Sequence, residues 1–151
     1  MALAGEFDII ARIFAPLAKD AGALGLNDDA AVLTVTDDHQ LVVTCDTLVS
    51  GVHFLKDDPP QSIGHKVLAV NLSDLTAKGA YGYVYTLSLA LPRETDLAWL
   101  EAFAAGLAEV QDRTGISLIG GDTTATSGPP TITLTALGLV QHESAITRLG
   151  A

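Results

Sequence analysis

Four short acidic motifs carry the residues best able to do chemistry in this sequence: Asn27-Asp28-Asp29-Ala30, Thr44-Cys45-Asp46-Thr47, Asn71-Leu72-Ser73-Asp74 and Gly120-Gly121-Asp122-Thr123-Thr124. Asp46 is the one that most needs a reason. It follows Leu41-Val42-Val43, which reads as the start of a buried strand, and a carboxylate there is costly without a partner. Asp74 sits in a helical pattern among apolar residues, with Asn71 one turn earlier on the same side. Lys66 and Lys78 are its candidate partners. Other acidic clusters, Asp37-Asp38 and Asp57-Asp58-Pro59-Pro60, need only turn and cap roles, which favour Asp for its local hydrogen bonds. Oxygen-only donors of this kind suit a hard cation such as Mg²⁺, with Thr and main-chain oxygens completing the shell. Bound Mg²⁺ ions would bridge the carboxylates to phosphates and reverse the local field. Gly120-Gly121 would let a phosphate or a cation approach the main chain.

Other chemistries are poorly supplied. Neither GxxxxGK[ST] nor GxGxxG occurs, so a nucleotide would be held by metal clamps and not by a P-loop. One cysteine and scattered histidines do not suit zinc. No Ser-His-Asp or Cys-His spacing suggests a nucleophile. Cys45 reads as a small core filler. His53 is either a surface-loop imidazole or part of a site, and His39, His65 and His142 read as solvent-facing.

The 151 residues suit one domain with a real core, and 48% hydrophobic content excludes a disordered chain. With 8 basic against 18 acidic residues the net charge is −10, which argues against nucleic acid and anionic lipid as partners. Thirteen of the acidic residues are Asp, and six of those fall between Asp20 and Leu55, where there is no Lys or Arg. The N-terminus MALAGEFDII lacks the basic and apolar regions of a signal peptide. GAYGYVYTLSLALP, the longest apolar stretch, is too short to span a bilayer. A single cysteine permits no internal disulfide. A cytoplasmic protein is expected.

The elements that must position these motifs follow from periodicity. Gly5 to Ala18 reads as a helix with Phe7, Ile10, Ile13, Phe14 and Leu17 inward. Ala30 to Val35 and Leu41 to Thr47 read as the strands of a hairpin. Ser62 to Lys78 reads as a second helix, Tyr83 to Leu91 as a strand, and Asp96 to Arg113 as a third helix capped by Asp96. Ile116 to Ile119 reads as a short strand running into the Gly-Gly-Asp motif, Ser127 to Pro130 as a turn, and Thr131 to Val140 as a last strand. The expected architecture is α+β, a mixed sheet with helices on one face. Its other face is apolar enough to want a partner sheet, which a homodimer would supply.

Taken together, GEFDIIARIF, GLNDDAAV, TCDTLVSGVHF, KVLAVNLSDLTAKGA and LIGGDTT, in this order, resemble the N-terminal half of the thiamine-monophosphate kinase family, within the aminoimidazole ribonucleotide synthetase superfamily. The resemblance runs from Gly5 to about Ala151. It implies an N-terminal ATP- and Mg²⁺-binding and dimerisation domain spanning 1–151, with two sheets forming a barrel across the dimer and a C-terminal domain that this chain lacks. The implied reaction moves the γ-phosphoryl group of ATP to thiamine monophosphate, giving thiamine diphosphate, with no protein nucleophile.

Carried over residue by residue, Asp29, Thr44, Asp46, Asp74 and Asp122 would be Mg²⁺ ligands, and Asp28 a weaker one. Cys45 stands where the family usually has Thr or Ser, so only its main-chain oxygen could serve. His53 would face the thiamine phosphate. Gly121, Asp122 and Arg148 would contact the nucleotide phosphates. Asn27 replaces the glycine of the family's Gly-Asp-Asp, in a turn where Asn tolerates positive φ. Within the superfamily, selenophosphate synthetase would show a reactive Cys near the N-terminus, and none precedes Cys45. The alternatives are such a sister enzyme or a non-catalytic dimerisation module. The chain alone is expected to dimerise and to be weakly active or inactive.

Overall fold

The computed structural model describes residues 5–148; Met1 to Ala4 and the closing Leu149-Gly150-Ala151, part of the resemblance, lie outside the described residues. The expected first helix forms, but in three pieces. An α-turn α1 (Glu6–Ile9) passes into a π-helical turn over Ile10–Phe14 and a 3₁₀ turn over Ala15–Leu17. Pro16 explains the break, since it has no N–H for the helical ladder. Ile13, Phe14 and Leu17 are buried as expected, whereas Phe7 is 84% exposed.

After a second 3₁₀ segment, Ala21–Leu26, come β1 (His39–Val49), α2 (Pro60–Ala77), β2 (Tyr81–Pro92), α3 (Leu97–Thr114), β3 (Ser117–Thr126) and β4 (Thr131–Gln141). Asp96 caps α3, its side chain accepting the Trp99 N–H at 2.8 Å. Gly115 in the left-handed conformation ends it.

The four strands form one mixed sheet in the order β1-β4-β2-β3, with β2 and β3 parallel and the other pairs antiparallel. β2, α3 and β3 form a βαβ unit. α2 and α3 cover one face, against Tyr85, Leu87, Leu89, Ile132, Leu134 and Ala136. The two helices touch backbone to backbone. A Cβ at Gly64 would lie 2.1 Å from the Phe103 carbonyl oxygen, and one at Gly106 1.9 Å from that of Gln61.

The expected hairpin is absent. Residues 31–36 form no strand, and β1 is an edge strand paired only with β4. The alternation of Ala31 and Leu33 about Val32 is real, but packing uses it instead of pairing. Ala31 and Leu33 lie against Val84, Ile119, Tyr83 and Leu137, Val32 is exposed, and the Val32 N–H is bound to the Gly22 carbonyl. The strand expected over Ile116 to Ile119 extends instead through the Gly-Gly-Asp-Thr-Thr motif to Thr126.

The second face of the sheet is covered at the β2–β3 side by this wrapping segment. Along β1, Leu41, Val43, Cys45 and Thr47 alternate outward and are exposed, opposite Leu139, Leu137, Thr135 and Thr133 of β4. Among the described residues no helix is long and apolar enough to cross a membrane.

Candidate functional site

At the β3 edge, the strand must come close to β2, and glycine makes that possible. Gly121 is in register with Leu87, and a Cβ there would lie 1.9 Å from the Leu87 carbonyl oxygen. Asp122 follows, exposed, in register with Ser88. Facing this strand is the loop that brings in Asp28 and Asp29. Asp20 opens it by accepting the Gly22 N–H at 2.7 Å. Leu24, Gly25 and Leu26 then take left-handed φ values of 52°, 66° and 58°. Two of these are leucines, a conformation that costs an L side chain about 1–2 kcal/mol. Asn27 itself has φ −103°, so the positive φ expected of it falls on its predecessors. Its side-chain amide donates to the Gly25 carbonyl at 3.1 Å. Asp28 accepts the Asp29 N–H at 2.8 Å, and both carboxylates stay exposed.

Loop and strand enclose a cavity of about 460 Å³. Its floor is apolar, from Ile10, Phe14, Leu26, Leu87, Leu89 and Leu118, and Asp28, Asp29 and Asp122 line it with Gly120 and Gly121. Two nearby cations are engaged elsewhere: Lys19 pairs with Asp112 at 2.7 Å and Arg12 with Glu101 at 3.9 Å.

At the opposite edge, β1 meets α2. The Thr44 hydroxyl donates to Asp74 Oδ2 at 3.1 Å. These two residues line a second cavity, of about 430 Å³, with Val42, Lys78, Ile146 and Arg148. The Ile146 N–H donates to the Lys78 carbonyl at 3.0 Å and ties the chain leading to Arg148 to the end of α2. Asp46 lies two residues beyond Thr44 on the same face of β1, half-buried and in register with Leu134.

Several expectations change here. Asp74 is exposed and takes its hydrogen bond from Thr44; Lys66 instead donates to the His53 carbonyl oxygen. Asn71 is the buried member of that pair, with Nδ2 bound to the Val67 carbonyl and Oδ1 without a partner. Cys45 is exposed on the open face of the sheet, because β1 is an edge strand. His53 is exposed in the turn after β1, its Nδ1 accepting the Val49 N–H at 3.0 Å, and it lines neither cavity. His39 and His65 are half-buried beside Asp38 and Glu109 rather than solvent-facing, while His142 is exposed.

The sequence-derived ligands thus fall into two groups. Asp29 and Asp122, with Asp28, line the β3 edge; Thr44 and Asp74 line the β1 edge, with Asp46 on the same strand. Three strand spacings separate those edges, about 14 Å at roughly 4.8 Å each. Among the described residues no cluster of three or more His, Cys, Asp or Glu is close enough to hold a metal ion. Donor chemistry fits a hard cation at each edge, where carboxylate oxygens gather with main-chain oxygens or the Thr44 hydroxyl. Two residues escaped sequence reading: Gln111 and Ser117, both buried, which hold the turn leading into the Asp28-Asp29 loop. The one available signal was Gln111 beside Val110, a polar residue at an inward position of α3.

Residues 27–140 match the family described as AIR synthase related protein, N-terminal domain. A thiamine-monophosphate kinase of Caulobacter vibrioides is 47% identical over 147 residues, covering 97% of this chain and 42% of that protein. The crystal structure of thiamine-monophosphate kinase from Stenotrophomonas maltophilia K279a superposes with a TM-score of 0.82 at 48% identity, over 98% of this chain and 46% of that one. The structure of AaThiL complexed with AMPPCP and TMP superposes with a TM-score of 0.67 at 25% identity, over 91% of this chain and 42% of that one. The chain thus spans a little under half the length of the relatives it matches. With the sheet, its glycine-lined edge and the acidic loop all accounted for, this chain belongs to the AIR synthase related family, in its N-terminal domain.

Proposed function

We propose that this chain is the ATP- and Mg²⁺-binding part of a thiamine-monophosphate kinase. The observation that carries the reading is the β3-edge cavity, an apolar floor lined by Asp28, Asp29 and Asp122. A nucleotide has the matching shape, a flat apolar ring followed by an anionic tail. The likeness to a structure holding AMPPCP, a non-hydrolysable ATP analogue, and TMP supports the substrates. In the reaction, an oxygen of the thiamine phosphate forms a bond to the γ-phosphorus of ATP. The bond from that phosphorus to the β–γ bridging oxygen breaks, and its electron pair leaves with ADP.

Bound Mg²⁺ would supply charge neutralisation for the phosphate oxygens. Asp29, Asp46, Asp74 and Asp122, with Thr44, the main-chain oxygen of Cys45 and Asp28 in support, are the residues that would hold it. Arg148 and the exposed main chain at Gly121 would receive nucleotide phosphates, and His53 the substrate phosphate. Such chemistry needs positioning more than covalent help.

A second copy of the chain is part of this reading. Among the described residues neither edge strand has a further partner, and the open face carries Leu41 and Val43. Two four-stranded sheets joined edge to edge close an eight-stranded barrel, whose interior is just filled by side chains. Closure with the β1 edge of one copy against the β3 edge of the other would bring the two ligand groups together. A cytoplasmic location fits an ATP-dependent protein with one free thiol.

Calorimetric titration with a non-hydrolysable ATP analogue tests the reading. Binding that needs Mg²⁺ and weakens at least tenfold in both Asp29→Asn and Asp122→Asn is expected. Mg²⁺-independent binding, or full affinity in both variants, would overturn it.

A further inference from the structure

The buried polar side chains of the described residues are Asn71, Gln111 and Ser117, and two of these three serve one short turn. Ser117 Oγ accepts the main-chain N–H of Lys19 at 2.8 Å and of Asp20 at 2.9 Å. Gln111 Nε2 donates to the carbonyl oxygens of Leu17 and Ile116, at 2.8 and 2.9 Å. Gln111 comes from the last turn of α3 and Ser117 opens β3, so the tight connection through Gly115 and Ile116 sets them side by side. Burying an amide and a hydroxyl is unfavourable unless both are well bonded. Here three of these four bonds go to a segment with no ladder of its own.

What this node joins is specific. On one side of it, β3 runs to Gly121 and Asp122. On the other, the turn at residues 17–20 feeds the loop that carries Asp28 and Asp29. Both arms line the same cavity. The loop is also strained, with left-handed backbone at Leu24 and Leu26. Strained backbone persists only where its surroundings over-determine it. Its tethers include the packing of Ala23 on Val84 and Ile119, the Lys19–Asp112 pair, the Asp20 cap, the Val32 N–H to Gly22 carbonyl bond at 2.9 Å, and the node.

We infer that Gln111 and Ser117 are positioning residues for the cavity. They lock the entry of the Asp28-Asp29 loop to the strand that carries Asp122, and so set the spacing between the two carboxylate groups. This rests on the metal–nucleotide reading of that cavity. The function of the node is therefore to hold half of a cation shell in register, not only to stabilise the fold.

The test compares Ser117→Ala with Val110→Ala, a core truncation beside Gln111 that removes none of the turn's hydrogen bonds. Two NMR readouts are used on the chain. Amide exchange at Val32 reports whether the loop is tethered, without any metal. Paramagnetic broadening by Mn²⁺ at the Asp29 and Asp122 amides reports the site. Ser117→Ala is expected to speed Val32 exchange at least tenfold, with the β2–β4 amides unchanged. It should also raise several-fold the Mn²⁺ needed to broaden Asp29. Val110→Ala should move neither beyond its loss of global stability. Equal behaviour of the two variants, or unchanged Val32 exchange in Ser117→Ala, would overturn the inference. Wild-type chain without any Mn²⁺ broadening would overturn the metal reading alone, and Val32 exchange would still decide whether the tether exists. If Ser117→Ala does not fold, Ser117→Cys, which keeps a weak acceptor of similar size, is judged by the same criteria.

Discussion

At the residue scale, Tyr85 shows how burial turns one hydroxyl into a pH-dependent term. It is fully buried, its O–H reaches Gln111 Oε1 only at 3.5 Å, and burial pushes the phenol well above its ordinary value of 10.0. A folded-state value above the unfolded one means that the contribution is fully present below pH 10. It is lost as pH rises further, because the unfolded chain releases the proton first. Tyr85→Phe removes this. At pH 7 the long hydrogen bond predicts a loss of about 1 kcal/mol or less. Above pH 10 the variant should overtake the native chain, with the difference between their urea-unfolding free energies changing by up to about 1.4 kcal/mol per pH unit. Parallel curves from pH 9 to 11.5 would show that the phenol ionises equally in both states.

The same scale shows which site residues were legible. Asp29 and Asp122 were singled out as members of acidic motifs at element boundaries, and the fold brings both to the lining of one cavity. Asp74 was picked out for a wrong reason. Its neighbours in sequence are apolar, but helical geometry gives the inward position to Asn71, leaving Asp74 exposed beside Thr44. Ser117 could not be found from sequence, since the two hydrogen bonds its hydroxyl accepts come from main-chain N–H groups 97 and 98 residues away.

At the scale of elements, α2, α3, β2 and β4 followed from their periodicity because both the period and the burial are regular. The errors fall where periodicity and pairing part company. Residues 30–35 alternate as a strand would, yet alternation reports only which side chains are covered. The pairing partner is a tertiary matter, and here packing on the sheet's second face replaced it. The glycine pair at 120–121 suggested a strand end. Gly121 alone lets β3 lie against β2, which only the register reveals.

Glycines also set the α2–α3 contact, and this leads to a prediction. In Gly106→Ala the new Cβ would sit 1.9 Å from the Gln61 carbonyl oxygen, which is backbone and cannot rotate away. Alanine is the better helix former by about 1 kcal/mol, so an exposed glycine of a helix would gain from the change. Here separation of the helices should dominate, giving a net loss of about 1–3 kcal/mol in thermal or urea unfolding. Gly120→Ala, with nothing within 4 Å of its added Cβ, should be close to neutral in the same assay. Equal stability of the two variants would mean that the helices do not touch at their backbones.

At the scale of the whole molecule, the sheet has two edges without a further strand among the described residues and one partly open face. Edge strands present unpaired main-chain groups, and proteins cover, charge or pair them. The open face carries no charge along Leu41, Val43, Cys45 and Thr47, so charge does not protect it. Closure with a second copy, β1 edge against β3 edge, would pair the edges, bury this face and unite the ligand groups of the two edges in one step. A single substitution separates this from a monomeric reading. Val43 is 61% exposed in the chain, so Val43→Glu should change the monomer's own stability by about 0.5 kcal/mol or less. In a closed barrel the same carboxylate would point into an apolar interior, at a cost of several kcal/mol in each copy. Sedimentation equilibrium should therefore find a native dimer and a folded, monomeric Val43→Glu variant, and Mg²⁺-dependent nucleotide binding should be lost with the dimer. A variant that remains dimeric would place the interface elsewhere. A monomeric variant that keeps full affinity would show that one edge alone suffices to hold the nucleotide.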